Sequence, residues 1–180
     1  FALLANRYIH DYGATPEQFA AVAVKNSRNG ALNPNAQRQI ARSLEEVLAP
    51  PQISGPLTKL QCCPIGEGAA AAVIVSEEAM SRLELDPDRA VRVLASTSRS
   101  ETVYKGENFD AALTRETTAQ ALAESNLTPA DLDIVELHDA FTVEELLYVE
   151  AMGLCGKGEA AAKLSEGEFD IGGRVAVSPS

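Results

Sequence analysis

The chain has 180 residues, 46% apolar and 23% charged, which suits a soluble globular unit with a core of its own. Its 15 Lys and Arg stand against 26 Asp and Glu, a formal net charge of −11, and the basic residues form no run or stripe, which argues against nucleic acid as a partner. The longest apolar stretch, Gly68–Ser76, falls well short of the ~20 residues that span a bilayer, and no signal-peptide pattern is visible.

"FALLANRYIH" predicts a helix over Phe1–His10, with Gly13 as its stop. "TPEQFAAVAVKNSRNGAL" predicts a second helix: Thr15 is its N-cap, Pro16 suits the first helical position and Gln18 completes a capping box. Phe19, Val22 and Ala23 share one face of it. "ALNPNAQ" reads as a loop, and "SLEEVLAPPQISGP" as a short helical or extended piece ending in a Pro/Gly turn. Residues 1–56 are therefore helix and loop that must lean on another layer.

"AAAAVIVS", Ala69–Ser76, predicts a strand covered on both faces. A short helical turn, "EEAMSRL", precedes an alternating strand, "AVRVLAS", at Ala90–Ser96. "FDAALTRETTAQALAESNL" predicts a helix with Ala111, Thr114, Thr118, Ala121 and Leu122 on one face. "DIVEL" is the next strand. "TVEELLYVEAMGL" is a helix opened by a Thr142–Glu145 capping box and stopped at Gly153. "EAAAKL", Glu159–Leu164, resembles a piece of rigid helical linker. "FDIGG" is a turn, and "RVAVS", Arg174–Ser178, the last strand. Strand–helix–strand–helix–strand predicts an α/β fold with parallel strands and helical crossovers.

In such sheets, ligands bind beyond the carboxyl ends of the strands. His138 follows one strand directly and Ser178 ends another, so the two share an edge if the strands run the same way. His138 also lies four residues before Thr142. A helix N-terminus disfavours a second positive charge, so the imidazole would tend to stay neutral and could donate to a developing oxyanion. The alternative is a histidine packed under the helix and bonded to a carbonyl. Asp139 could oppose the first reading by favouring the charged ring, or could turn away into packing.

Three cysteines, two of them adjacent, point to a reducing compartment without disulfides and exclude a CxxC zinc site. Cys62 and Cys63 run into an apolar segment, and Cys155 has no base near it in sequence, so all three read as packing residues. "GEGAA", Gly66–Ala70, precedes a strand rather than opening a helix and reads as a tight turn, not a phosphate loop. Tyr104 and Lys105 occupy a strand-end loop whose default reading is a solvated one, although they could touch a ligand there.

"DLDIVELHDAFTVEELLYVEAMGLCGKGE" resembles the C-terminal half of thiolases, in particular the sterol-carrier-protein-type thiolases and thiolase-like lipid-transfer proteins, whose Asn-Glu-Ala-Phe motif becomes His-Asp-Ala/Cys-Phe. "GGRVAVSPS", "CCPIGEGAAAAVIVSEEAM" and "YGATPEQFAAVAVKNSRNGALNPNAQ" resemble further family segments in collinear order. The resemblance implies part of a layered α-β-α-β-α sandwich: residues 1–86 as a loop-domain segment with the last strand region of the N-terminal half, and residues 87–180 as the first part of the C-terminal half. It implies acyl transfer on coenzyme A thioesters, by thiolysis or Claisen condensation, with no other cofactor, in a homodimer or tetramer, and a cytoplasmic location by default. His138 would be the oxyanion-hole residue, with Asp139, Phe141 and Ser178 as substrate contacts and no metal. Ser178 stands where the family has asparagine, and Gly66-Glu67 where it has Ser/Asn-Asp. The family nucleophile and its Gly-His-Pro histidine would lie outside these residues, so the chain is expected to be an inactive fragment by itself. Two other readings are a thiolase-fold retro-aldolase on steroid side-chain CoA esters, a branch that tends to carry Tyr in place of His138, and a non-catalytic subunit that binds acyl-CoA or a partner.

Overall fold

The computed structural model describes residues 1–104 and 108–180; Lys105 lies outside them. Helix α1 spans Ala2–Tyr12 and ends where Gly13 enters the left-handed region, φ 71°. Helix α2 spans Pro16–Leu32 and opens as its sequence predicts: Gln18 N–H donates to Thr15 Oγ1, and Thr15 N–H donates to Gln18 Oε1. A short helix α3, Leu44–Leu48, leads into an antiparallel pair, β1 at Gln52–Ser54 and β2 at Leu57–Thr58. Helix α4 covers Glu77–Arg82 and α5 covers Phe109–Ser125. Strand β3, Ile134–Val135, is followed by α6 at Thr142–Ala151, α7 at Ala160–Ser165 and β4 at Ala176–Val177.

Strands β3 and β4 are parallel, with Ile134 opposite Ala176 and Val135 opposite Val177. Helix α2 packs on α6 and α7, and α5 packs on α6. A single apolar cluster joins Ala5, Tyr8, Phe19 and Val22 of the first two helices to Val143, Leu146, Val149, Leu164, Phe169 and Val177. The segment that resembles a linker, α7, is thus a core element, with Ala160, Ala161 and Leu164 buried.

Three expectations are corrected. The segments 69–76 and 90–96 form no ladder among the described residues, and their side chains are exposed, with Val73 88% and Val91 91% accessible. Their composition suits covered strands, but a strand exists only when a neighbour takes its N–H and C=O groups, and none of the described residues does so. The cysteine pair does not enter a buried strand either: Cys62 is half-buried and Cys63 exposed. The third concerns the start of α6. Phe141, not Thr142, is its N-cap residue, and Glu144, not Glu145, accepts the cap N–H, from Phe141 at 3.0 Å. Among the described residues no helix is long and apolar enough to cross a membrane.

Candidate active site at the His138 corner

The parallel register brings the carboxyl ends of β3 and β4 to one edge. Ser178 N–H donates to Val135 O at 2.8 Å, and Ala176 N–H to Asp133 O at 2.9 Å. Beyond Val135 the chain runs through Leu137, His138 and Asp139 into α6. The His138 side chain is exposed, with no hydrogen-bond partner among the described residues. Ser178 is buried and left-handed, φ 48°, and its Oγ finds no partner among the described residues.

Four contacts hold the loop that carries His138. Cys63 N–H donates to Ala140 O at 2.8 Å, tying the loop to the segment after β2. Phe141 N–H donates to Glu144 Oε2, while the other carboxylate oxygen of Glu144 accepts from the Tyr148 hydroxyl at 2.6 Å. The Phe141 ring stacks on Phe1 with centroids 4.4 Å apart. It also lines a cavity of about 360 Å³ with Leu57 and Cys62. The fourth contact comes from α2: Asn26 Nδ2 donates to Asp139 Oδ2 at 3.0 Å.

That last contact belongs to a buried network. Asn26 Nδ2 also donates to Glu145 Oε2 at 3.0 Å, and Lys25 Nζ donates to Asn26 Oδ1 and to Val177 O, each at 2.6 Å. Lys25 Nζ lies 3.2 Å from Glu145 Oε1, an ion pair without hydrogen-bond alignment. Asn29 Nδ2 donates to Ser178 O at 2.9 Å. Lys25 is 1% exposed and Glu145 fully buried. Burial pushes the Glu145 carboxyl up to about 7 against the pull of Lys25, and pushes Asp139 up to about 6 against its own backbone N–H, Lys25 and His138. One ammonium therefore faces two carboxylates, neither of which ionises as readily as in water.

The other candidates sit apart or are occupied. Burial raises the Cys62 thiol, whose Sγ donates to Thr58 O, and burial with the nearby Glu150 raises Cys155 to about 12. Neither is poised as a thiolate. Tyr104 donates to Glu116 of α5. The larger cavity, about 630 Å³, lies between α1, α5 and α6, lined by Leu4, Tyr8, Phe109 and Leu147, and does not include His138.

Sequence reasoning did not find Lys25, Asn26, Asn29 or the inward role of Glu145. The signal was present: Lys25 and Asn29 continue the helical stripe of Phe19 and Val22, so polar residues occupy core positions in "FAAVAVKNSRN".

Residues 95–180 match the family model described as thiolase C-terminal domain-like. Across 99% of its length the chain is 42% identical to the benzoylsuccinyl-CoA thiolase subunit BbsB of Thauera aromatica, covering 46% of that protein. Across its whole length it is 36% identical to sterol carrier protein 2 of Gallus gallus, covering 34% of it. The solved structure of an Ltp2-ChsH2(DUF35) aldolase superposes on 99% of this chain with a TM-score of 0.86 and 32% identity, using 48% of that structure's chain. The chain thus spans a third to a half of the proteins it matches, and its fold is that of the matching part of the aldolase chain. Collinear identity along the whole chain, the match over residues 95–180 and the shared fold place it in the thiolase superfamily.

Proposed function

We propose that these residues are the part of a thiolase-type acyltransferase that carries its oxyanion-binding histidine, His138, and that the whole protein cleaves or condenses 3-ketoacyl thioesters of coenzyme A. One observation carries the reading: the parallel ends of β3 and β4 meet at Val135 and Ser178, and the accessible His138 stands three residues beyond that edge. In condensation, loss of a proton from the carbon next to the thioester carbonyl moves charge onto its oxygen. In thiolysis, the same oxygen gains charge as the carbon–carbon bond breaks. An imidazole N–H donated to that oxygen stabilises the charge and keeps its own proton. Phe141 and Ser178 would flank the thioester, and Asp139 would hold the loop. The nucleophilic cysteine would come from elsewhere in the polypeptide: by the family resemblance none of Cys62, Cys63 and Cys155 stands at its position, and burial shifts Cys62 and Cys155 away from thiolate.

The names of the relatives support the substrate class: one is a thiolase subunit for a CoA thioester. Two of them are parts of multi-chain enzymes by name, so assembly as a homo-oligomer or with a second chain is part of the proposal, as is a cytoplasmic location. A second reading, retro-aldol cleavage, is favoured by the similarity to the aldolase structure. Assay of the whole protein on 3-ketoacyl-CoA with free CoA, and on 3-hydroxyacyl-CoA without it, separates the two. In the thiolysis assay His138→Ala lowers kcat ~100-fold or more; an unchanged rate removes His138 from the site.

A further inference from the structure

We propose that Lys25, Asn26 and Glu145 form a positioning unit that fixes the His138 loop against the end of β4. The inference rests on the reading of His138 given above.

The geometry is specific. The Asn26 amide nitrogen bridges Asp139, the residue next to His138, and Glu145, on the first turns of α6. Its oxygen accepts from Lys25, whose ammonium also takes the carbonyl of Val177. Three separate pieces of chain, the strand end, the histidine loop and the helix after it, are thereby referred to one point on α2. Tertiary packing alone does not require this. Burying an ammonium and a carboxylate is costly, and apolar residues of similar volume commonly pack as well or better. An apolar pair has no directional donors, however, and would leave Asp139 without its tie to α2. Of the contacts to the loop, the Asn26–Asp139 bond is adjacent in sequence to His138, so it constrains where the imidazole is presented.

Asn26 touches no expected substrate atom, so its effect on the reaction is indirect, and a double-mutant cycle tests whether it passes through His138. The whole protein is prepared as wild type, His138→Ala, Asn26→Leu and the double variant, and thiolysis of a 3-ketoacyl-CoA is measured under saturating and limiting substrate. Asn26→Leu is expected to lower kcat about 10-fold with KM changed less than about 2-fold, the mark of a transition-state interaction lost rather than of uniform binding. The double variant is expected to be no slower than His138→Ala alone. If the two losses multiply, Asn26 acts independently of His138 and the inference is overturned; it is overturned equally if Asn26→Leu leaves kcat unchanged while His138→Ala lowers it. If His138→Ala itself is silent, the underlying reading of His138 fails first, which separates the two failures. Should Asn26→Leu not fold, Asn26→Ser, whose single hydroxyl proton cannot serve both carboxylates, takes its place in the same cycle.

Discussion

Replacing Lys25 by Met keeps most of the side-chain volume and removes the ammonium. Three acceptors then lose their donor or counter-charge: Val177 O, Asn26 Oδ1 and the fully buried carboxylate of Glu145. Breaking a buried pair by removing one partner costs ~3–5 kcal/mol. Glu145 can evade much of that cost by taking a proton. Burial already holds its carboxyl at about 7 rather than 4.5, and Lys25 is the main influence pulling it back down. A carboxyl raised on folding contributes stability that is complete below its unfolded value and is lost as the pH rises through its folded value. Without Lys25 the folded value moves higher still, so in the variant that loss continues above pH 7, where it has ended in the wild type. Asp139, raised to about 6 and also drawn down by Lys25, adds to the effect in the same sense at lower pH. The deficit of Lys25→Met is therefore expected to be about 1–3 kcal/mol at pH 5, the cost of the orphaned acceptors. Above pH 7 it grows by up to ~1.4 kcal/mol per unit until Glu145 ionises in the variant as well. Urea unfolding midpoints at pH 5 and pH 8.5 measure it, with Lys25→Met/Glu145→Gln as the control that lacks the Glu145 part. A deficit equal at both pH values, or larger at pH 5, would refute the reasoning.

Two further outcomes follow from local geometry. Gly158 sits at φ +82° with the Tyr12 ring where a Cβ would go, so Gly158→Ala is expected to lose ~2–4 kcal/mol from the left-handed backbone and the overlap together; a thermal midpoint within a degree of wild type contradicts that. Among the cysteines, exposed Cys63 is expected to be alkylated by iodoacetamide well before half-buried Cys155, whose thiol burial pushes to about 12. Mass mapping of the native protein over time checks the order, and equal rates count against it.

What the sequence made legible was local. The Thr15–Pro16–Gln18 start of α2 and the Gly13 and Gly153 stops needed only neighbouring residues, and each is found in place. The start of α6 shows where locality fails. Thr142 with Glu145 and Phe141 with Glu144 are both separated by three, and nothing nearby says which carboxylate turns back to the cap. Lys25 and Asn26 decide it by drawing Glu145 inward, and they arrive from a helix remote in the chain. The apolar segments 69–76 and 90–96 fail for a related reason. Their side-chain pattern is legible, but a ladder belongs to two segments, and the pattern of one cannot supply the other. The place of His138 between β3 and α6 was legible because a strand-to-helix junction is itself a local pattern. The network beneath it was not, because it joins polar residues of α2 to the loop after β3, the first turns of α6 and the end of β4, pieces far apart in the chain.

The same contrast bears on what holds the edge where His138 stands. A parallel ladder of two residues on each strand is marginal by itself, since short pairings need a packed face or further strands to persist. Here the end of β4 gains two further bonds, from Lys25 to Val177 O and from Asn29 to Ser178 O, both out of α2 and both buried. Buried hydrogen bonds are costly to leave unmade, and a donor that is charged strengthens one of these two. The backbone carbonyls at the strand end are thus fixed by a helix, and the loop carrying His138 by the same helix through Asp139. Relative motion of the strand end and the histidine loop requires breaking bonds to α2 on one side or the other, which is why the two ends can act as a single rigid edge although so little sheet joins them.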